Sequence, residues 1–153
     1  MTIDVDVQFV AQSSQIPDRQ SIKMWARTVL ADHNKDTELV IRVVDEDEGI
    51  ELNKKWRQSD SPTNVLSFPV SDIEAINHNI LGDIIICAPV VVREARKQGK
   101  SNDAHWAHMV IHGVLHLLGH DHITKEDAGI METLETDILA NLGYADPYTN
   151  LEN

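Results

Sequence analysis

Residues 102–122 read NDAHWAHMVIHGVLHLLGHDH. Six of the chain's eight histidines lie between His105 and His122; the others are His33 and His78. Ordinary packing accounts for a lone helical histidine but not for such a cluster. His108, His112, His116 and His120 are spaced four apart, so on an ideal helix they form one row. A row cannot chelate one ion. Four residues rise about 6 Å along the axis, whereas zinc–nitrogen bonds are about 2.0–2.1 Å. A straight helix therefore offers two ligands, at i and i+4, and a third must come from chain that has turned back. Gly119 supplies the turn, because glycine tolerates the left-handed conformation that commonly ends a helix. The last helical pair before it is His112 and His116. Beyond it, His120 and His122 fall on the same side of an extended segment, with Asp121 on the other. His122 completes H-x3-H-x5-H, and His120 is the rival third ligand.

The spacing resembles the zinc-protease signature H-E-x-x-H-x-x-G-x-x-H, which His112, His116, Gly119 and His122 match. It predicts one divalent metal ion per chain, zinc above others. Three protein ligands leave the fourth tetrahedral position for water, the arrangement of a hydrolytic site; structural zinc sites use four, often cysteines. Cys87 is the only cysteine here. Gly113 stands where the proteases carry their glutamate base, so peptidase activity is not expected. His105 and His108 are left with supporting or structural roles. Met131 follows the motif as a methionine follows protease zinc sites, but an apolar helix face accounts for it equally.

Outward from this stretch, Asn102 or Asp103 caps the histidine helix, which runs to about Leu118. Thr124, with Asp127 three residues on, opens the last helix in a capping-box-like arrangement. That helix ends before Gly143, and residues 145–153 are expected to be loose. Upstream, residues 3–9 alternate apolar and polar as a strand does. Pro17 and Asp18 open a helix with Ile22, Trp25, Ala26, Val29 and Leu30 on one face. Residues 38–44 read as a strand. Residues 45–56 read as a helix with Leu52 and Trp56 on one face. A turn over residues 59–63 leads to a short strand, 64–68, ended by Pro69. Residues 80–87 are the most apolar segment and read as a buried strand. Pro89 then opens a helix to about Gln98, with Gly99 as its cap. Strands come early and helices late. The expected fold is α/β with α+β character, a small mixed sheet packed with helices, in one domain over 1–153.

Composition is ordinary for a globular chain, at 42% hydrophobic and 25% charged residues. One cysteine excludes an internal disulfide. The N-terminus lacks the pattern of a signal peptide, and the longest apolar runs fall far short of the roughly 20 residues of a membrane helix. A cytoplasmic protein without membrane contact is expected. The formal net charge of −12 argues against nucleic acid as a partner over long range. Two local basic clusters oppose it: Lys54, Lys55 and Arg57, and Arg93, Arg96, Lys97 and Lys100. A solvated helix face explains the second equally well.

Three segments together carry a family resemblance. HGVLHLLGHDH (112–122), NKKWRQSDSPTNVLSFP (53–69) and LGDIII (81–86) closely resemble the signatures of the YbeY family of bacterial rRNA maturation endoribonucleases. The match extends from about Val40 to Leu142. His120 stands where that family commonly has tyrosine, and Asn64 where it has aspartate or asparagine. The resemblance implies a single-strand-specific, zinc-dependent endoribonuclease that matures the 3′ end of small-subunit ribosomal RNA and serves ribosome quality control. It also implies contacts with the small ribosomal subunit, the GTPase Era and a small-subunit ribosomal protein. Arg57 matches the family's functional arginine, whose guanidinium can bind phosphate bidentately; the bland alternative is a residue capping a helix end. Lys55, His120 and Asp121 are candidates to touch substrate or support the ligands. Asp83 is a candidate partner contact, a turn residue or a supporting group. Two other functions compete: a metallohydrolase of another substrate, and a non-enzymatic assembly factor in which zinc only folds the C-terminal half.

Overall fold

The computed structural model describes residues 2–13, 15–33, 35–57, 63–70 and 79–148; the side chains of residues 56 and 57 lie outside that description. The described elements are, in order, β1 (Ile3–Phe9), α1 (Arg19–Leu30), β2 (Thr37–Val44), α2 (Glu46–Arg57), β3 (Val65–Pro69), β4 (Ile80–Cys87), α3 (Ala88–Lys97), α4 (Asn102–Leu117) and α5 (Lys125–Asn141). The strands form one mixed sheet in the order β1-β2-β4-β3. β1, β2 and β4 run parallel, and β3 pairs antiparallel with β4 at the edge. The expected α/β class with a small mixed sheet is what the chain adopts. The turn expected over residues 59–63 lies outside the described residues apart from Thr63.

Strand alternation decides what faces the core. In β1, Val5 and Val7 are buried between exposed Asp4, Asp6 and Gln8. Leu39, Ile41 and Val43 of β2 and Ile84 and Ile86 of β4 join them under α1 and α4. On the other side, Val44, Cys87 and Val90 form a small second cluster. There α2 comes so close that a Cβ on Gly49 would lie 3.0 Å from the Cys87 sulfur. Pro69, read from sequence as the stop after a strand, is instead the last residue of β3. An edge position explains this, since no neighbouring strand among the described residues requires the missing N–H.

α4 is buried on nearly every side and packs against α1, α3, α5, β3 and β4. A helix covered on so many sides belongs in a core rather than on a surface. Gly113 permits the approach to the sheet, since a Cβ there would sit 3.0 Å from Ile84 Cγ2. The cap is one residue earlier than the sequence suggested: the Ser101 hydroxyl accepts from the Ala104 N–H at 3.1 Å. Asn102 instead donates its side-chain amide to the Gln15 carbonyl. α5 begins as expected, with the Thr124 hydroxyl accepting from the Asp127 N–H. The chain after it, expected to be loose from Ala145, holds a packed contact at Tyr148, whose ring stands edge-on to His108.

Candidate metal centre

The last turn of α4 ends in a Schellman arrangement, in which two backbone N–H groups beyond the helix satisfy carbonyls inside it. The Gly119 N–H donates to the His116 carbonyl at 3.0 Å, and the His120 N–H to the Leu115 carbonyl at 3.1 Å. Gly119 takes φ 101°, a value that a Cβ penalises. This geometry sends the chain back along the helix, so that His122 meets His112 and His116. Ring centroids are 4.7 Å apart for His112–His116, 5.4 Å for His112–His122 and 5.2 Å for His116–His122. One ligand nitrogen from each lies within 4.8 Å of the others. Among the described residues His120 joins no such group; it serves the turn with its backbone. Three converging imidazoles suit a divalent transition metal, so the donor set fits the ion expected from the spacing.

The three rings border a cleft of about 530 Å³. Val65, Ser67 and Pro69, every second residue of β3, line a wall of it with Asn64. The Ser67 hydroxyl donates to the Gly113 carbonyl at 3.2 Å, which ties that wall to α4. Asp121 and Ile123 complete the mouth. The Asp121 carboxylate accepts from the Ile123 N–H, leaving the Ile123 side chain largely in solvent.

The other residues singled out from sequence fall elsewhere. Arg57 closes α2, and its side chain is outside the described residues. Lys55 is exposed on the same helix. Asp83 is exposed on β4 between buried Gly82 and Ile84, so the pleat turns it to the sheet face away from α4 and the cleft. Met131 is buried in the core. Position 113 faces Ile84, so the site of the protease glutamate is directed at the sheet here.

Two residues that the sequence did not single out complete the centre. Glu135 is fully buried, and its Oε2 lies 2.6 Å from His112 Nδ1. Its Oε1 lies 3.4 Å from His108 Nε2 and accepts from the Tyr148 hydroxyl. Burial pushes this carboxyl up, but the interactions with His108, His112 and Tyr148 outweigh it and hold the group at about 2. Burial pushes His108 below the ordinary imidazole value, against the pull of Glu135. Burial, and then the Glu135 carboxylate, push the Tyr148 phenol up. The signal in sequence was the position of Glu135, four residues from both Met131 and Leu139 on the buried stripe of α5. An acid in such a stripe needs partners, and only the fold shows which. A further carboxylate, Glu94, is 3.0 Å from His105 Nε2 and accepts from the Asn64 amide at 3.1 Å. It links the cleft wall to the start of α4. Burial raises this group, and the bonds from His105 and Asn64 lower it by more.

Comparison with known proteins agrees with this architecture. The model of the Endoribonuclease YbeY family matches residues 6–143. An "Endoribonuclease YbeY" from Pseudomonas syringae pv. syringae is 52% identical over 153 residues, covering 99% of this chain and 91% of that protein. One from Stutzerimonas stutzeri is 52% identical over 148 residues, covering 95% and 91%. The solution structure of TM1509 from Thermotoga maritima aligns with a TM-score of 0.60 at 24% identity, covering 95% of this chain and 99% of that one. That likeness concerns the fold alone.

Proposed function

The chain belongs to the YbeY family of endoribonucleases, and from that premise we propose that it cleaves single-stranded RNA with one zinc ion held by His112, His116 and His122. The observation that carries this is the convergence of three imidazoles, from one helix and its returning chain, on an open cleft. A divalent cation bound there supplies Lewis-acid polarisation of a phosphoryl oxygen and of water. Zinc suits three neutral imidazoles with an open fourth position.

The chain's own groups do the rest. β3 and the returning segment at Asp121 and Ile123 form two walls between which an RNA strand lies. Arg57, at the end of α2, binds the scissile phosphate through its planar fork and balances the charge that grows on the phosphate oxygens. Lys55 contributes charge to the RNA backbone, and His120 and Asp121 contact the substrate near the metal. With a net charge of −12, attraction for RNA rests on these local cations rather than on the field of the whole molecule. Peptide hydrolysis is disfavoured, since no carboxylate stands at Gly113 to carry the proton.

The biological setting that fits is 3′-end maturation of small-subunit ribosomal RNA and ribosome quality control in the cytoplasm. No helix among the described residues is long and apolar enough to cross a membrane. The expected partners are the small ribosomal subunit, the GTPase Era and a small-subunit ribosomal protein. Asp83 is a reasonable contact for one of them, because a partner on its sheet face leaves the cleft open to RNA.

The test is metal content and RNase activity measured together. Wild type should carry about one zinc and cleave single-stranded RNA but not casein. His112→Ala and His116→Ala should lose both metal and cleavage, and His120→Ala should keep its metal. Full zinc content in both ligand variants would sink the assignment.

A further inference from the structure

Glu135 is the one acid among the buried residues of α5, flanked by Met131 and Leu139 one turn away on either side. A carboxylate there replaces the apolar residue that the stripe calls for, and burying an ion is costly unless hydrogen bonds compensate. It receives two, from His112 and Tyr148, while His108 Nε2 stands 3.4 Å from its other side as an ion-pair partner and 3.3 Å from the Tyr148 hydroxyl. His108, His112 and Glu135 also form a second set of ligand atoms close enough to suggest an ion. Distance decides against that. Two ligands on one tetrahedral zinc sit roughly 3.4 Å apart, given bonds near 2.0–2.1 Å. Glu135 Oε2 and His112 Nδ1 are 2.6 Å apart, the separation of a short charge-assisted hydrogen bond.

We infer that Glu135 is a positioning residue for the metal centre and that Tyr148 is its support. The inference rests on the proposed role of His112 as a ligand. The carboxylate holds the proton on His112 Nδ1, which leaves Nε2 as the nitrogen that would bind the ion. A carboxylate on the far nitrogen also raises the basicity of a ligating imidazole and fixes its ring plane. Tyr148 donates to the other oxygen, and its ring stands 5.5 Å from that of His108, edge to face. The segment following α5 thereby becomes part of the centre, although it is distant in sequence from every ligand.

The test measures metal affinity rather than activity, by competition between a chromophoric chelator and protein for Zn²⁺. It is run at a temperature where the metal-free variants are folded by circular dichroism. Glu135→Leu is expected to bind zinc about 10–100-fold more weakly than wild type, the range for loss of a partner behind a metal-ligating histidine. Glu135→Gln keeps an acceptor and should recover part of the loss. Tyr148→Phe keeps the ring and should lose only a few-fold. Nitrogen-15 shifts of metal-free wild type should show His112 protonated on Nδ1, and Glu135→Leu should show a mixture. A merely structural Glu135 would lower the thermal midpoint and leave affinity and tautomer unchanged; that result in folded Glu135→Leu and Glu135→Gln overturns the inference. Wild type that takes up no zinc would overturn the metal centre as well, so the two failures are distinct. Two zinc ions per chain would also overturn it, by making Glu135 a ligand.

Discussion

Arg57→Ala should lower cleavage of single-stranded RNA by roughly 10²–10³, the usual cost of deleting one transition-state donor. Zinc content and circular dichroism should stay unchanged, because the residue is not a ligand. Arg57→Lys should also be impaired, since a point charge does not replace the planar fork. Near-wild-type cleavage by Arg57→Ala would remove it from the reaction. Glu94 makes a different prediction. Its carboxyl in the folded protein lies below the ordinary value, so its contribution to stability is complete above about pH 4.3 and is lost as pH falls through the folded value. The midpoint difference between metal-free wild type and Glu94→Gln should therefore be largest near neutrality and shrink in acid. A difference independent of pH would contradict the ionised role. The candidate ligands were legible at this scale because one helix cannot give three nitrogens to one ion, and a glycine marks where the chain returns. Glu135 was not, because a single acid in a helix looks solvated until the packing of the helix is known.

The helix stop after α4 and the β3–β4 junction are the elements on which the centre stands. Gly119→Ala should cost about 1 kcal/mol or more, because φ 101° disfavours a Cβ. It should also weaken zinc binding, since the turn sets the return of His122; thermal melts and chelator competition would read both. Unchanged affinity would show that His122 finds its place without the turn. Gly82→Ala should destabilise by about 1–3 kcal/mol. Its Cβ would lie 2.5 Å from the Phe68 carbonyl oxygen and 2.8 Å from Leu117 Cδ2, where two strands and α4 meet. An equal thermal midpoint for this variant would contradict the packing described. The sequence showed these elements through period and punctuation, including the apolar run of β4 and the glycines after three helices. It missed the Ser101 cap because three adjacent residues are all good caps, and local chemistry does not choose among them. It misread Pro69 because the edge position of β3 depends on strand order, a non-local property.

At the scale of the molecule, an acidic chain is expected to bind a polyanion through one local surface. Lys54, Lys55 and Arg57 gather at the end of α2, away from the acids Glu46, Asp47 and Glu48 in its first turn. Few phosphate contacts imply a shallow dependence of RNA affinity on salt. Composition spoke only of the average, and so pointed away from RNA; the motifs and the family pointed toward it. The claim that joins all scales is that a metal ion at the three histidines makes this chain a ribonuclease. The most direct measurement follows cleavage of a labelled single-stranded RNA by chelator-stripped protein as zinc is added back. Cleavage should be absent from the stripped protein, return at about one equivalent of zinc, and remain absent in His116→Ala at every zinc level. Undiminished cleavage by the stripped protein, or equal cleavage by His116→Ala, would contradict it.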